Sequence, residues 1–250
     1  MQNYSSDGVT ISYLDQGEGD PVLLIHGFAS TAQVNWVNPG WVDVLNRAGY
    51  RVIALDNRGH GESQKIHDPA AYEAPTMAED ARRLLDHLGV PRADVMGYSM
   101  GARITAFLSI KHPQRVRSAI LGGVGTNLIE GTRGTGDIVA ALEAPSLADV
   151  ATPVGRAFRK FADANSQDLK ALAACMRSGR PPITKDRLAS LPMPVLVAVG
   201  SKDDVAGSAA DLAAVIPHAQ VLDIPNRDHM LAVGDKVFKQ GVLDFLAQRP

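Results

Sequence analysis

The stretch Asp94-Val-Met-Gly-Tyr-Ser-Met-Gly-Ala-Arg103 decides the fold. Its centre, Gly97-Tyr98-Ser99-Met100-Gly101, fits the pattern G-x-S-x-G. An apolar run (Ala93 to Met96) precedes it, and a helix-like run (Met100 to His112) follows. A strand that becomes a helix within one residue strains the backbone at that residue, and neighbours without side chains make the room. Such a turn lifts the Ser99 hydroxyl clear of the sheet. It also sets the next backbone N–H at a helix N-terminus, where positive potential favours a developing anion. Taken alone the pattern is weak, because an ordinary strand-to-helix turn with a surface serine fits it equally well. The rest of the chain has to supply a base, an acid and a second oxyanion donor.

Working outward, the chain repeats a strand-then-helix rhythm. Val9 to Leu14 alternates like an edge strand, and Val22 to Ile25 is apolar on both faces, as in a strand covered on each side. The latter runs into His26-Gly27-Phe28. Trp41 to Ala48 reads as a helix stopped by Gly49, and Arg51 to Leu55 as a buried strand ending at Asp56-Asn-Arg-Gly-His-Gly-Glu-Ser63. Thr76-x-x-Glu79 predicts a capping box, with Met77, Ala81, Leu84, Leu85 and Leu88 on one helical face and Gly89 and Pro91 ending the helix. Val116 to Leu121 is a further strand. From about Thr126 to Leu191 no strand-like run occurs, only helical stretches (Ile138 to Leu142, Val154 to Ala164, Leu169 to Met176) broken by glycines and prolines. The rhythm resumes with Pro194 to Val199, a helix near Ser208 to Ile216, a strand at Gln220 to Ile224 and a last helix carrying Phe238, Val242, Phe245 and Leu246 on one face. This pattern predicts an α/β fold of three layers around a mostly parallel sheet. The core comprises residues 1–125 and 192–250, with 126–191 as a helical insertion. Active groups in such folds sit at the carboxyl ends of the strands.

Composition narrows the classes. The chain has 250 residues, 45% of them hydrophobic and 21% charged, with a net charge of −2. That size supports one α/β domain, and that charge gives no case for a nucleic-acid or anionic-membrane partner. No apolar run has the length of a membrane span. The N-terminal Met1-Gln-Asn-Tyr-Ser-Ser-Asp7 lacks the basic and apolar parts of a signal peptide, which leads to the expectation of a cytoplasmic protein. Cys175 is the sole cysteine and reads as a small hydrophobe. No histidine pair has metal-ligand spacing beside carboxylates, so neither metal nor cofactor is expected. Composition says nothing of oligomeric state.

A serine hydroxyl is a poor nucleophile near neutrality and needs a base whose pKa lies near ambient, which points to histidine. His26, after an early strand, suits hydrogen bonding that holds its loop. His60 lies in a glycine-rich turn, and His67, His87, His112 and His218 have surface-like contexts. His229 follows the last strand and precedes the last helix, where a loop reaches the carboxyl edge of the sheet. An acid is then needed to fix the imidazole tautomer. Asp203 and Asp204 both follow the strand ending at Val199, between serine and histidine in chain order. The loop after Leu121 reads Gly-Gly-Val-Gly-Thr-Asn and offers no carboxylate.

With these pieces in order (His26-Gly27-Phe28, Asp56-x-Arg58-Gly59-x-Gly61-x-Ser63, the Ser99 turn, Gly200-x-x-Asp203, His229), the chain resembles the α/β-hydrolase fold family over nearly its whole length. The resemblance implies Asp203 rather than Asp204 as the acid, an oxyanion hole from the backbone N–H groups of Phe28 and Met100, and a cap domain at 126–191 lining the substrate pocket. It disfavours epoxide hydrolases and haloalkane dehalogenases, which carry aspartate in place of Ser99. It weakens the carbon–carbon-bond hydrolases that read Gly-Asn-Ser-x-Gly, since Tyr98 stands where they have Asn. The expected activity is hydrolysis of a small-molecule carboxylic ester by a serine esterase. Lactonase, thioesterase or carbon–carbon-bond hydrolase chemistry on the same triad, peroxide as acyl acceptor, or a receptor-like binding role stand as alternatives on the same fold. The apolar residues Leu128, Ile129, Ile138, Leu142, Phe158, Phe161 and Met176 read as core more than pocket. Arg133, Arg156, Arg159 and Arg177 leave room for a substrate bearing a carboxylate.

Overall fold

Successive side chains of a strand point to opposite faces, so strands apolar at every position must be covered twice. That is the arrangement here, in a computed structural model describing residues 1–132 and 134–249. Eight strands form one sheet: β1 (Gln2–Ser6), β2 (Val9–Gln16), β3 (Asp20–Ile25), β4 (Tyr50–Leu55), β5 (Ala93–Tyr98), β6 (Val116–Gly122), β7 (Val195–Gly200) and β8 (Gln220–Ile224). Their spatial order is β1-β2-β4-β3-β5-β6-β7-β8, antiparallel from β1 to β4 and parallel thereafter.

Leu23 and Ile25 of β3 face one core, shared with Leu84 of α2 (Ala74–His87) and Phe107 of α3 (Met100–Lys111). Val22 and Leu24, one residue out of phase, face the other core with Trp41 of α1 (Trp41–Arg47) and Phe238 of the C-terminal helix Lys236–Gln248. Between β6 and β7 the chain forms α4 (Asn127–Glu130), α5 (Thr135–Glu143), α6 (Pro153–Ala164), α7 (Leu169–Arg177) and α8 (Lys185–Ala189), with no strand among the described residues. α5 packs on α6 and α7, and Leu172, Cys175 and Ile183 continue the core that holds Phe107. The helix α9 (Ala209–Ala213) and α10 (Lys236–Gln248) complete the chain. Among the described residues no helix is long and apolar enough to cross a membrane.

Two local expectations fail. Val9 to Leu14 is not an edge, because the polar segment Gln2–Ser6 pairs outside it as β1. The capping box at Thr76 does not form, because α2 starts earlier, at Ala74, with Pro75 in a first turn that needs no N–H there. Glu79 instead meets Lys111, Arg82 and His112, and these partners hold its carboxyl down to about 2 against the opposing effect of burial.

The turn after β4 is tied to α2 by a buried ion pair. Arg58 Nε and Nη2 donate to the two Asp80 oxygens, both at 2.7 Å, and Ser6 Oγ donates to Asp80 Oδ1 at 2.5 Å. The side chains of Arg58 and Asp80 are only 6% and 1% exposed, so losing one partner leaves a charge stranded in apolar surroundings. Asp80→Ala is therefore expected to lower unfolding free energy by about 3–5 kcal/mol, read as a shift in the denaturant midpoint at unchanged slope.

Candidate active site

Every candidate group follows the carboxyl end of a strand. Ser99 follows β5, Phe28 lies three residues after β3, Asp203 lies in the turn after β7, and His229 lies in the loop after β8. Parallel pairing brings these ends to one rim of the sheet.

The β5–α3 turn explains its own sequence. Ser99 has φ 54° and ψ −111°, a strained combination for a residue with a side chain. A Cβ on Gly101 would lie 1.9 Å from the Ile25 carbonyl oxygen, and one on Gly97 would lie 2.2 Å from the Gly101 carbonyl carbon. The helix can begin this close to β3 only with hydrogen at both positions. Ser99 N–H donates to Gly122 O at 2.8 Å, which pins the turn to β6.

His229 Nε2 is 3.0 Å from Ser99 Oγ, and its Nδ1 is 2.7 Å from Asp203 Oδ2. The ionised carboxylate can only accept, so Nδ1 carries the proton and Nε2 is left to accept from the serine hydroxyl. Asp203 is held in turn: its Oδ1 accepts from the N–H groups of Val205 and Ala206, both at 2.9 Å. The structure thus brings Ser99, His229 and Asp203 into one hydrogen-bonded line and leaves Asp204 exposed. Gly200 lets the two loops meet, because a Cβ there would lie 2.2 Å from Arg227 O.

One contributor escaped the sequence reading. Tyr98, read only as a replacement for asparagine, donates its hydroxyl to His229 O at 2.7 Å and stacks obliquely on the imidazole. Burial, then the charges of Asp203 and Asp228, push its phenol well above the ordinary value, so it remains a donor. The residue beside the serine therefore positions the loop of the histidine. No spacing signal relates positions 98 and 229.

Phe28 and Met100 are buried beside Ser99, and among the described residues neither N–H has an acceptor. The Phe28 loop is held by buried histidines, as expected for His26. His26 Nδ1 donates to Gly27 O at 2.7 Å, and its Nε2 accepts from Asn57 N–H at 2.9 Å. His60, read as part of a glycine-rich turn, is in fact buried against the rings of His26 and Phe28.

A cavity of about 710 Å³ opens over Ser99, a size suited to a small organic ligand. Its walls include Ile138, Phe158, Phe161 and Met176, whereas Leu128, Ile129 and Leu142 pack away from it. Four of the seven apolar residues read as core thus face the cavity, because amphipathicity marks a buried face without saying what it faces. The arginines read as candidates for a carboxylate are engaged elsewhere: Arg156 on Val150 O, Arg159 on Asp163, Arg177 on Glu143. Arg133 lies outside the described residues. Arg103 and Arg180 line the cavity instead. Among the described residues no group of three or more His, Cys, Asp or Glu is placed to hold a metal ion.

The sequence model of the alpha/beta hydrolase fold matches residues 20–181, more than half of the chain. The chain belongs to the alpha/beta hydrolase fold family. A 2-hydroxymuconate semialdehyde hydrolase of Pseudomonas putida is 38% identical over 114 residues, 45% of this chain and 40% of the relative. A non-heme chloroperoxidase of Kitasatospora aureofaciens is 37% identical over 119 residues, 46% of this chain and 40% of the relative. These matches span about two fifths of the length of the curated relatives. A hydrolase from Pseudomonas aeruginosa superposes with a TM-score of 0.82 at 25% identity, covering 98% of this chain and 97% of that one. The hydrolase fold is therefore shared end to end with solved structures, while close sequence similarity to the curated relatives covers less than half of it.

Burial lowers the pKa of His26 and lowers that of His60 further; at His60 the neighbouring His26 adds to burial. A histidine whose folded pKa lies below its unfolded value of about 6.5 stabilises the fold fully above that pH and loses its contribution as pH falls. The melting temperature of this protein is thus expected to drop on acidification below about pH 6.5, with a shallower drop in His60→Asn. Equal slopes in both proteins would remove His60 as a source of acid lability.

Proposed function

We propose that this chain is a metal-free serine hydrolase of carboxylic esters, with Ser99 as nucleophile, His229 as base and Asp203 orienting the imidazole. The observation that carries the reading is the line Asp203 Oδ2–His229 Nδ1 at 2.7 Å and His229 Nε2–Ser99 Oγ at 3.0 Å. Such a line raises the reactivity of a hydroxyl only if the proton has somewhere to go.

In this mechanism Ser99 Oγ attacks the ester carbonyl as its proton passes to His229 Nε2. The imidazolium is stabilised by Asp203, and the tetrahedral oxyanion by the N–H groups of Phe28 and Met100. Each such donor is worth about 3–4 kcal/mol of barrier where it has been measured. His229 then protonates the leaving alkoxide, the C–O bond breaks, and the acyl group stays on Ser99. Water, deprotonated by His229, attacks the acyl-enzyme and releases the acid with Ser99 restored. The helices within 126–191 act as the cap over this site, and Ile138, Phe158, Phe161 and Met176 supply an apolar wall for the acyl or alkyl part.

A second reading draws on the relative named a non-heme chloroperoxidase. The same serine ester intermediate can pass its acyl group to peroxide instead of water, and the rate ratio with the two acceptors separates these uses.

Ser99→Ala is expected to bring turnover of a simple aryl ester to the background rate while leaving the melting temperature within a few degrees of wild type. Turnover surviving in pure Ser99→Ala protein would end the assignment.

A further inference from the structure

We propose that Arg103 and Arg180 form an anion-binding wall of the cavity, and that the ester cleaved here carries a free carboxylate a few bonds from its scissile carbonyl. The second half rests on the ester-hydrolase reading; the first does not.

Arg103 lies on α3 one turn beyond the nucleophile, its N–H donating to Ser99 O at 3.2 Å. It lines the cavity and is only 3% exposed. Its recorded partners are neutral carbonyls: Nη1 donates to Pro181 O at 2.7 Å and Nη2 to Asn127 O at 3.0 Å. A guanidinium has five N–H donors, so three have no partner among the described residues. Arg180, next in sequence to the Pro181 that Arg103 holds, uses Nη1 on Cys175 O at 3.0 Å and Gly179 O at 2.9 Å, with Ser178 Oγ at 3.4 Å. Its Nη2 faces only sulfur, Met100 Sδ and Cys175 Sγ, both at 3.6 Å. Thioether and thiol sulfurs are weak acceptors, and a charged donor is left unsatisfied by them.

Neither guanidinium has a carboxylate within 4.0 Å among the described residues, and this sets the pair apart. Other well-buried arginines are matched: Arg58 with Asp80, Arg159 with Asp163, Arg249 with Asp94. Tying the carbonyls of Asn127 and Pro181 accounts for two of the five Arg103 donors but not for two like charges facing one cavity. Burial, and then the charge of Arg180, lower the Arg103 pKa to about 10, so Arg103 stays cationic at neutral pH beside a like charge. Uncompensated charges in a partly desolvated site attract an anion strongly. Glu130 and Asp204 also line the cavity but are exposed and form no recorded ion pair. Their charge opposes a dianion more than a monoanion, which favours a carboxylate over a phosphate monoester.

The test compares an aryl hemiester of glutaric acid with its methyl-capped neutral counterpart, and measures glutarate binding to Ser99→Ala by calorimetry. The proposal expects kcat/KM for the hemiester to exceed that for the capped ester by about tenfold or more, chiefly through KM. It also expects glutarate to bind Ser99→Ala at moderate salt. Arg180→Gln should shrink the preference to near unity and abolish glutarate binding, and Arg103→Lys should retain part of both. The more exposed Arg180 keeps the test valid if Arg103 variants fail to fold. Glutarate binding without hydrolysis of either ester would uphold the anion wall and overturn the esterase reading. Hydrolysis of both esters with no preference and no glutarate binding would overturn the wall and leave the esterase reading standing.

Discussion

The first turn of α3 is pressed against the end of β3, and this one close approach organises the site. With a Cβ on Gly101 only 1.9 Å from Ile25 O, no other residue lets the helix start there. The strained φ of Ser99 is the geometric consequence, since the chain must reverse from strand to helix in a single residue. The same approach brings the Phe28 loop to the cavity beside the start of α3, because that loop leaves the strand against which the helix is pressed. Strain at Ser99 and the glycine at 101 are thus one packing decision seen from two sides.

Everything else at the rim is built by loops that must arrive at that fixed point. Asp203 is oriented by two backbone amides before it meets His229, and His229 is held from behind by the Tyr98 hydroxyl. The sheet makes this possible at a distance: parallel strands β5, β7 and β8 end at the same edge, so residues separated by more than half the chain converge without long loops. Buried polar ties, Arg58 with Asp80 and His26 with Asn57, keep the neighbouring turns from relaxing.

Much of this was legible in the residues, for identifiable reasons. β3 and β5 are apolar at nearly every position, and such runs announce a doubly covered sheet. The Ser99 turn and His229 stand out because each follows a strand end in a fixed chain order; the same order leaves Asp203 and Asp204 both open, and only the family resemblance favours Asp203. Polar β1 was not readable, because a hydrogen-bonded edge strand needs little apolar patterning. The cavity wall escaped for a deeper reason: Ile138 and Leu142 share a helix, a hydropathy and a core, and only packing gives Ile138 a second face on the cavity. Arg103 was hidden likewise inside a helix that reads as apolar, and Tyr98 inside the motif itself.

In the proposed mechanism the geometry around Ser99 makes its hydroxyl, and no other, a nucleophile. An aryl fluorophosphonate, which phosphonylates an activated serine and mimics the tetrahedral intermediate, tests this directly when the site of attachment is mapped by peptide mass spectrometry. A single adduct on Ser99 is expected, its formation slowed at least a hundredfold, about 3 kcal/mol, in His229→Ala. Labelling at another serine, or at Ser99 with the same rate in both proteins, would contradict it.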